Sequence, residues 1–147
     1  MREETYKNIF DNALIGIYQS TVDGKYITVN KAFASILGYD SPERLLESVS
    51  NIAQQIYINP KDRQRTINLL KERDHCTVEI QVKRKDGAIA WVMNRVRAVR
   101  DDRGRVVYYE GVAQDITDQK KMEDDLLLMR AKDIMLLDSI LLAGKRA

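Results

Sequence analysis

The sequence predicts an α+β domain in which two strands, a helical crossing and a three-strand meander precede one long helix. Three observations carry this. Val78, Ile80 and Val82 alternate with Glu79, Gln81 and Lys83, the period of a half-buried strand. Asp23-Gly24, Asp86-Gly87 and Asp101–Gly104 punctuate the apolar runs with turn chemistry. From Val112 to Ala143 there is neither glycine nor proline, so nothing interrupts a helix.

Each element follows in order. Tyr6, Ile9, Phe10, Ala13 and Leu14 keep the spacing of an amphipathic helix, and Gly16 ends it. Ile15–Thr21 and Lys25–Val29 read as a hairpin about Asp23-Gly24. Asn30 is a good N-cap for the run Lys31–Leu37, with Gly38 as its stop. Ser41-Pro42 opens another short helix, and further short turns pass through Leu45, Leu46, Ile52 and Ile56. A longer helix from Pro60 to about Arg73 is expected to turn Ile67, Leu69 and Leu70 toward the core. A three-residue loop, Lys85 to Gly87, places Val82 opposite Ala90, Ile80 opposite Val92 and Val78 opposite Asn94. Ala90, Val92, Asn94, Val96 and Ala98 then share the inner face, and Trp91, Met93, Arg95 and Arg97 the outer one. Residues 1–14 form a flanking helix, 15–117 the core and 118–147 a terminal helix.

Composition narrows the class. The 147 residues carry 24 Lys+Arg against 22 Asp+Glu, a net charge of +2 that gives no electrostatic reason to expect nucleic acid. One cysteine and one histidine cannot build a disulfide or a thiolate zinc site. No membrane segment and no signal peptide is evident, so a cytoplasmic protein is expected.

The ordered set of motifs resembles the PAS sensor domain. Ile9-Phe10-Asp11-Asn12-Ala13 with Gly16-Ile17 is similar to the family's opening segment. Asp23-Gly24-Lys25, Val29-Asn30-Lys31-Ala32-Phe33 and Leu37-Gly38-Tyr39 resemble its first hairpin and the helix after it. Arg84-Lys85-Asp86-Gly87 with Trp91-Val92 resembles its central hairpin. Asp102-Arg103-Gly104-Arg105-Val106, Gly111-Val112 and Asp115-Ile116-Thr117 resemble its close. The resemblance implies a five-stranded antiparallel sheet with helices on one face enclosing a cavity. It implies a sensory module of a bacterial two-component or cyclic-dinucleotide signalling protein. Such a module passes its signal through the terminal helix to an output domain, a histidine kinase or a GGDEF diguanylate cyclase. These residues hold no effector motif, so the chain reads as a fragment of such a protein or as the partner of one, and not as an enzyme.

Candidate sites follow from that fold. Asn94 is the one polar side chain on the inner face of its strand, and a buried amide must find a ligand, a water or a backbone partner. A small, mostly apolar ligand with one polar group would suit it. Phe33, Leu37, Ile56, Tyr57, Leu69, Ile80, Val92, Tyr109 and Ala113 are the expected walls of the same pocket. Small residues there (Ala90, Ala98, Gly111, Ala113) favour a cavity, and large ones (Phe33, Ile80, Tyr109) favour a filled core that serves protein–protein pairing alone. Asp115, Thr117 and Trp91 are placed on the relay path. Tyr6, Ile9, Phe10, Met122, Leu126 and Met129 are placed at a homodimer interface, the terminal stripe pairing as a coiled coil although its phase slips between Met129 and Ile134.

No cofactor is expected. Haem-binding members carry their ligand on the long helix, whereas His75 lies in the Asp74-His75-Cys76 turn. Flavin-binding members show Asn-Cys-Arg-Phe-Leu, whereas the comparable stretch here is Ser50-Asn51-Ile52-Ala53-Gln54-Gln55-Ile56. An enzyme on a cone-like α+β fold would need an inward carboxylate as base, and the inner face of the three long strands carries none.

Overall fold

A computed structural model describes residues 2–146, with side chains through residue 144. The chain divides into two units, the first ending at Asp115 and the second beginning at Ile116.

The first unit opens with α1 (Arg2–Asn12), followed by β1 (Gly16–Thr21) and β2 (Tyr26–Val29). Four helices come next: α2 (Lys31–Ile36), α3 (Pro42–Ser48), α4 (Ile52–Gln55) and α5 (Lys61–Glu72). The meander β3 (His75–Lys83), β4 (Ile89–Arg100) and β5 (Val106–Asp115) completes it. The five strands form one antiparallel sheet in the order β2-β1-β5-β4-β3, so the last strand of the chain is the central one.

The central hairpin has the expected register, with Val78 opposite Asn94, Ile80 opposite Val92 and Val82 opposite Ala90. Gly87 holds φ at 88°, the left-handed conformation that this loop requires and that side chains disfavour. Burial alternates along β1 and β5, so Gly16, Tyr18 and Ser20 share the inner face with Tyr109, Gly111 and Ala113. His75 is the first residue of β3 rather than part of the preceding turn, paired with Arg97 and exposed. Cys76 beside it is buried, and burial raises its thiol, which keeps it protonated and inert.

Three short helices are set by their caps. Asn30, Ser41 and Asn51 each accept a hydrogen bond from the backbone N–H three residues on. Asn30 does more. It is fully buried, and its Oδ1 accepts from the N–H of Phe33 at 3.0 Å and of Ile17 at 2.9 Å. Its Nδ2 donates to the carbonyls of Phe10 and Ile15, both at 3.0 Å. One amide thus uses all its hydrogen-bonding capacity to tie α1, β1 and α2 together.

Helix α5 turns a different stripe inward from the one expected. Thr66 and Leu70 are buried, while Ile67 and Leu69 are only half-buried. The 63–66–70 spacing follows one face of a 3.6-residue helix, and Leu69 lies about 100° round from Leu70.

The second unit is α6 (Thr117–Arg146), 30 residues and about 45 Å long at ~1.5 Å per residue. Every described side chain from Lys121 to Gly144 is exposed. Among the described residues, no helix is long and apolar enough to cross a membrane.

Replacing Asn30 by alanine orphans two N–H groups and two carbonyls at a buried junction. At about 1–3 kcal/mol per unsatisfied group, we expect a loss of about 3 kcal/mol or more. Asn30→Asp keeps both acceptor contacts, loses both donors and should fall between. Urea unfolding of the three proteins checks the order.

Candidate functional site

The inner face of the sheet and helices α2, α4 and α5 enclose a small cavity of about 30 Å³. Eight of the ten residues expected to wall it do so: Phe33, Leu37, Ile56, Tyr57, Ile80, Val92, Asn94 and Ala113. Leu69 does not, because the phase of α5 turns it aside into a second apolar cluster around Leu70 and Val96. Tyr109 does not either. It lies two inward-facing positions before Ala113 on β5 and lines an adjoining cavity of about 10 Å³.

The cavity is small because aromatic rings fill the space. Tyr18, Tyr26 and Phe33 form a cluster with ring centroids 4.9–5.9 Å apart, and Tyr57 stands on the same cavity wall. Tyr18 is the key to this arrangement. It pairs with Gly111 across β1 and β5. A Cβ at residue 111 would come within 2.2 Å of Tyr18 Cζ and 2.4 Å of its hydroxyl. The ring therefore lies across β5 in the space that glycine leaves. From there its hydroxyl donates to Asn94 Oδ1 on β4 at 2.9 Å. Gly111 was expected to leave a cavity, and the space is instead occupied by Tyr18.

Asn94 is 4% exposed and has one side-chain hydrogen bond, the one from Tyr18. Arg63 of α5 lines both cavities. Its Nη2 donates to the Thr21 carbonyl at 3.3 Å, and its Cζ stands 5.9 Å from the Tyr109 ring centroid. Ser20 is 1% exposed, lines the smaller cavity, and its Oγ has no hydrogen-bond partner. Arg63, Tyr18, Tyr26 and Ser20 were not singled out from the sequence. The signals were present: the alternation Gly16, Tyr18, Ser20, and the helical spacing of Arg63 to Thr66 and Leu70.

Burial raises the phenols of Tyr18, Tyr26 and Tyr57 above the ordinary tyrosine range. Asn94 opposes the shift at Tyr18, and Arg63 opposes it at all three. All three are therefore neutral hydrogen-bonding groups near neutral pH. Among the described residues no cluster of His, Cys, Asp and Glu could hold a metal ion.

The outer face carries a wider, open groove of about 720 Å³ between α1 and the sheet. Tyr6, Phe10, Ile17 and Val112 give it an apolar floor, with Arg95, Arg97 and Glu110 around it. Arg97 Nε meets Glu110 Oε2 at 2.9 Å, a solvent-exposed pair worth about 0–1 kcal/mol. Tyr6 and Ile9 are exposed, and Phe10 is half-buried. Trp91 is half-buried on the outer face of β4, opposite Gln81. Asp115 is the last residue of β5, and Thr117 the first of α6. Met122, Leu126 and Met129 are all exposed on α6.

Two predictions follow from the Tyr18 crossing. Gly111→Ala places a methyl against a buried ring and should cost about 1–3 kcal/mol in urea or thermal unfolding. The phenol shifts also set an alkaline limit. A phenol whose folded value is raised favours the folded state below the unfolded value of about 10, and that stability is lost as pH rises above it. Titrating phenolate absorbance should show three of the seven tyrosines silent until the protein unfolds.

Comparison with known proteins agrees with this architecture. A family model described as "PAS domain" matches residues 13–118. The probable diguanylate cyclase DgcE of Escherichia coli K12 is 25% identical over 122 residues, 82% of this chain but 11% of that protein. The chain thus spans about a ninth of that relative. The structure of a sensory box histidine kinase/response regulator from Burkholderia thailandensis is similar at a TM-score of 0.65 and 26% identity, covering 86% of this chain and 95% of that one. A PAS domain from Colwellia psychrerythraea matches in fold at a TM-score of 0.67 and 22% identity, covering 80% and 99% of the two chains. With its family model spanning most of the chain and its five-stranded sheet in the same fold, this chain belongs to the PAS domain family.

Proposed function

We infer that this chain is the sensory PAS module of a longer signalling protein, and that two copies pair through α6 and pass the state of the core to an output domain. The observation that carries the reading is the surface of α6. Twelve large apolar side chains between Met122 and Leu142 are each more than half exposed on a single helix. Exposed apolar stripes of that extent mark an association surface.

The stripe has a frame. Met122, Leu126, Met129, Asp133, Leu136, Ile140 and Ala143 follow alternating steps of four and three residues, the 3.5-residue repeat of a coiled coil. Asp133 accounts for the apparent slip of phase, as a charged residue within the seam that weakens pairing and fixes register. A second copy of α6 is the simplest occupant, since it presents the same repeat. The relay reading is supported by connectivity. The strand β5 is central in the sheet, and one residue, Ile116, separates its end from the start of α6. The names of two relatives, a sensory box histidine kinase and a probable diguanylate cyclase, support an output domain of one of those classes.

The interior supports a module that senses something very small, or senses through pairing alone. A cavity of about 30 Å³ is far below the roughly 300–1,000 Å³ of sites for drug-sized molecules, and neither haem nor flavin is part of the proposal.

Light scattering across a concentration series tests the pairing. We expect a mass near twice 17.0 kDa and a shift toward the monomer for the double variant Leu126→Lys, Met129→Lys. A wild-type mass that stays at the monomer value at every concentration would sink the reading.

A further inference from the structure

The two inner cavities share four lining residues: Tyr18, Tyr57, Arg63 and Asn94. The cavity walls toward α2 and α4 are apolar, but this shared wall is not. Asn94 is nine-tenths buried and has spent only its carbonyl oxygen, on Tyr18. Ser20 Oγ is buried with no partner, which a native interior rarely tolerates without a water or ligand. Arg63 is half-buried; one of its five N–H donors meets a backbone carbonyl, and its guanidinium also faces the Tyr57 hydroxyl. No carboxylate among the described residues lies within ion-pair range of it. Asp62, one position before it, pairs with Arg65 at 2.7 Å, and the exposed Asp23, which accepts from the Thr21 hydroxyl, acts on Arg63 only from beyond contact range.

We propose that Arg63, with Tyr57, Ser20 and Asn94, forms a binding site for a small carboxylate anion of formate or acetate size. The charge argument is direct. A guanidinium drawn partly out of water, with only the exposed Asp23 near it and no carboxylate in contact, carries a desolvation cost that an anion in contact would offset. Shape and size select the anion. A planar guanidinium matches a planar carboxylate through two parallel N–H···O bonds. The Asn94 amide supplies a further donor, the Ser20 and Tyr57 hydroxyls can each donate one, and the adjoining spaces of about 30 and 10 Å³ accept only a few non-hydrogen atoms. This replaces the mostly apolar ligand that Asn94 alone suggested. It rests on the reading of the chain as a sensory module and names the ligand class of that module's interior.

The test uses the full chain labelled with ¹⁵N. Sodium formate and sodium acetate are titrated at fixed pH and ionic strength, with sodium chloride as the simple-anion control and ethanol as the uncharged one. We expect saturable shifts of the Arg63 Nε–H, the Asn94 side-chain amide and the Ser20 backbone N–H with the carboxylates alone. Arg63→Gln should weaken binding at least tenfold. Should that variant fold poorly, Tyr57→Phe and Ser20→Ala, which remove only an oxygen, should each weaken it several-fold. Equal shifts with chloride or ethanol, a linear response without saturation, or unchanged binding in Arg63→Gln or in both single-oxygen variants would each overturn the proposal and leave an ordered water as the occupant. The dimer mass is an independent readout. A dimer that does not bind carboxylate defeats only this proposal, and a monomer that binds it defeats only the pairing.

Discussion

The Tyr18 side chain lying over Gly111 is the constraint on which the rest of the interior depends. Strand β1 pairs with β2 and β5, and its backbone cannot reach β4. Tyr18 does so because β5 carries no side chain where the ring crosses it. The crossing joins three strands through one phenol and uses the carbonyl of Asn94. It stacks the ring on Phe33 of α2 and leaves a cavity that small molecules alone can share. A different residue at 111 would displace the ring, free Asn94 and open the space, so the interior chemistry is set by a missing methyl group rather than by a polar side chain.

A second junction holds the frame that the crossing needs. Asn30 fixes where β1 begins relative to α2, because its acceptor serves Ile17 and Phe33 and its donors serve Phe10 and Ile15. Ile17 is the neighbour of Tyr18, and Phe33 is the ring against which Tyr18 stacks. The same buried amide therefore sets the backbone on both sides of the aromatic contact. Deep burial without an unsatisfied atom makes that geometry rigid, since every displacement breaks a hydrogen bond that water cannot replace.

These two junctions also show what the sequence can and cannot disclose. The central hairpin was legible down to its register, because alternation and a turn glycine are local signals. The cap formed by Asn30 was legible for the same reason. Its donor half was not, because the carbonyls of Phe10 and Ile15 reach it only through the tertiary fold. Gly111 was read as space, and nothing in its neighbours says that a residue 93 positions earlier in the chain fills it. Leu69 was misplaced because adjacent leucines at 69 and 70 allow two phases, and the polar Arg63 and Thr66 decide between them. Arg63 was not singled out, because its place at the wall of both cavities with no carboxylate in contact is a property of space rather than of sequence.

The two units put their apolar residues to opposite uses. In the first unit large side chains are buried down to cavities of a few atoms, so an occupant larger than that must move a ring. Tyr18 is held over a glycine on β5 by one hydrogen bond and by its ring contacts. That strand has neighbours on both edges and continues within one residue into α6. In the proposed relay, a displacement on the inner face of β5 would act on the segment from which α6 departs. In α6 the same kind of side chain is left exposed, and the proposed pairing would bury it. In the proposed pairing, the charge at Asp133 within the repeat would keep the seam from being maximal. A seam weakened in this way can respond to a bias of a few kcal/mol at its base, whereas an uninterrupted leucine seam would hold one state regardless.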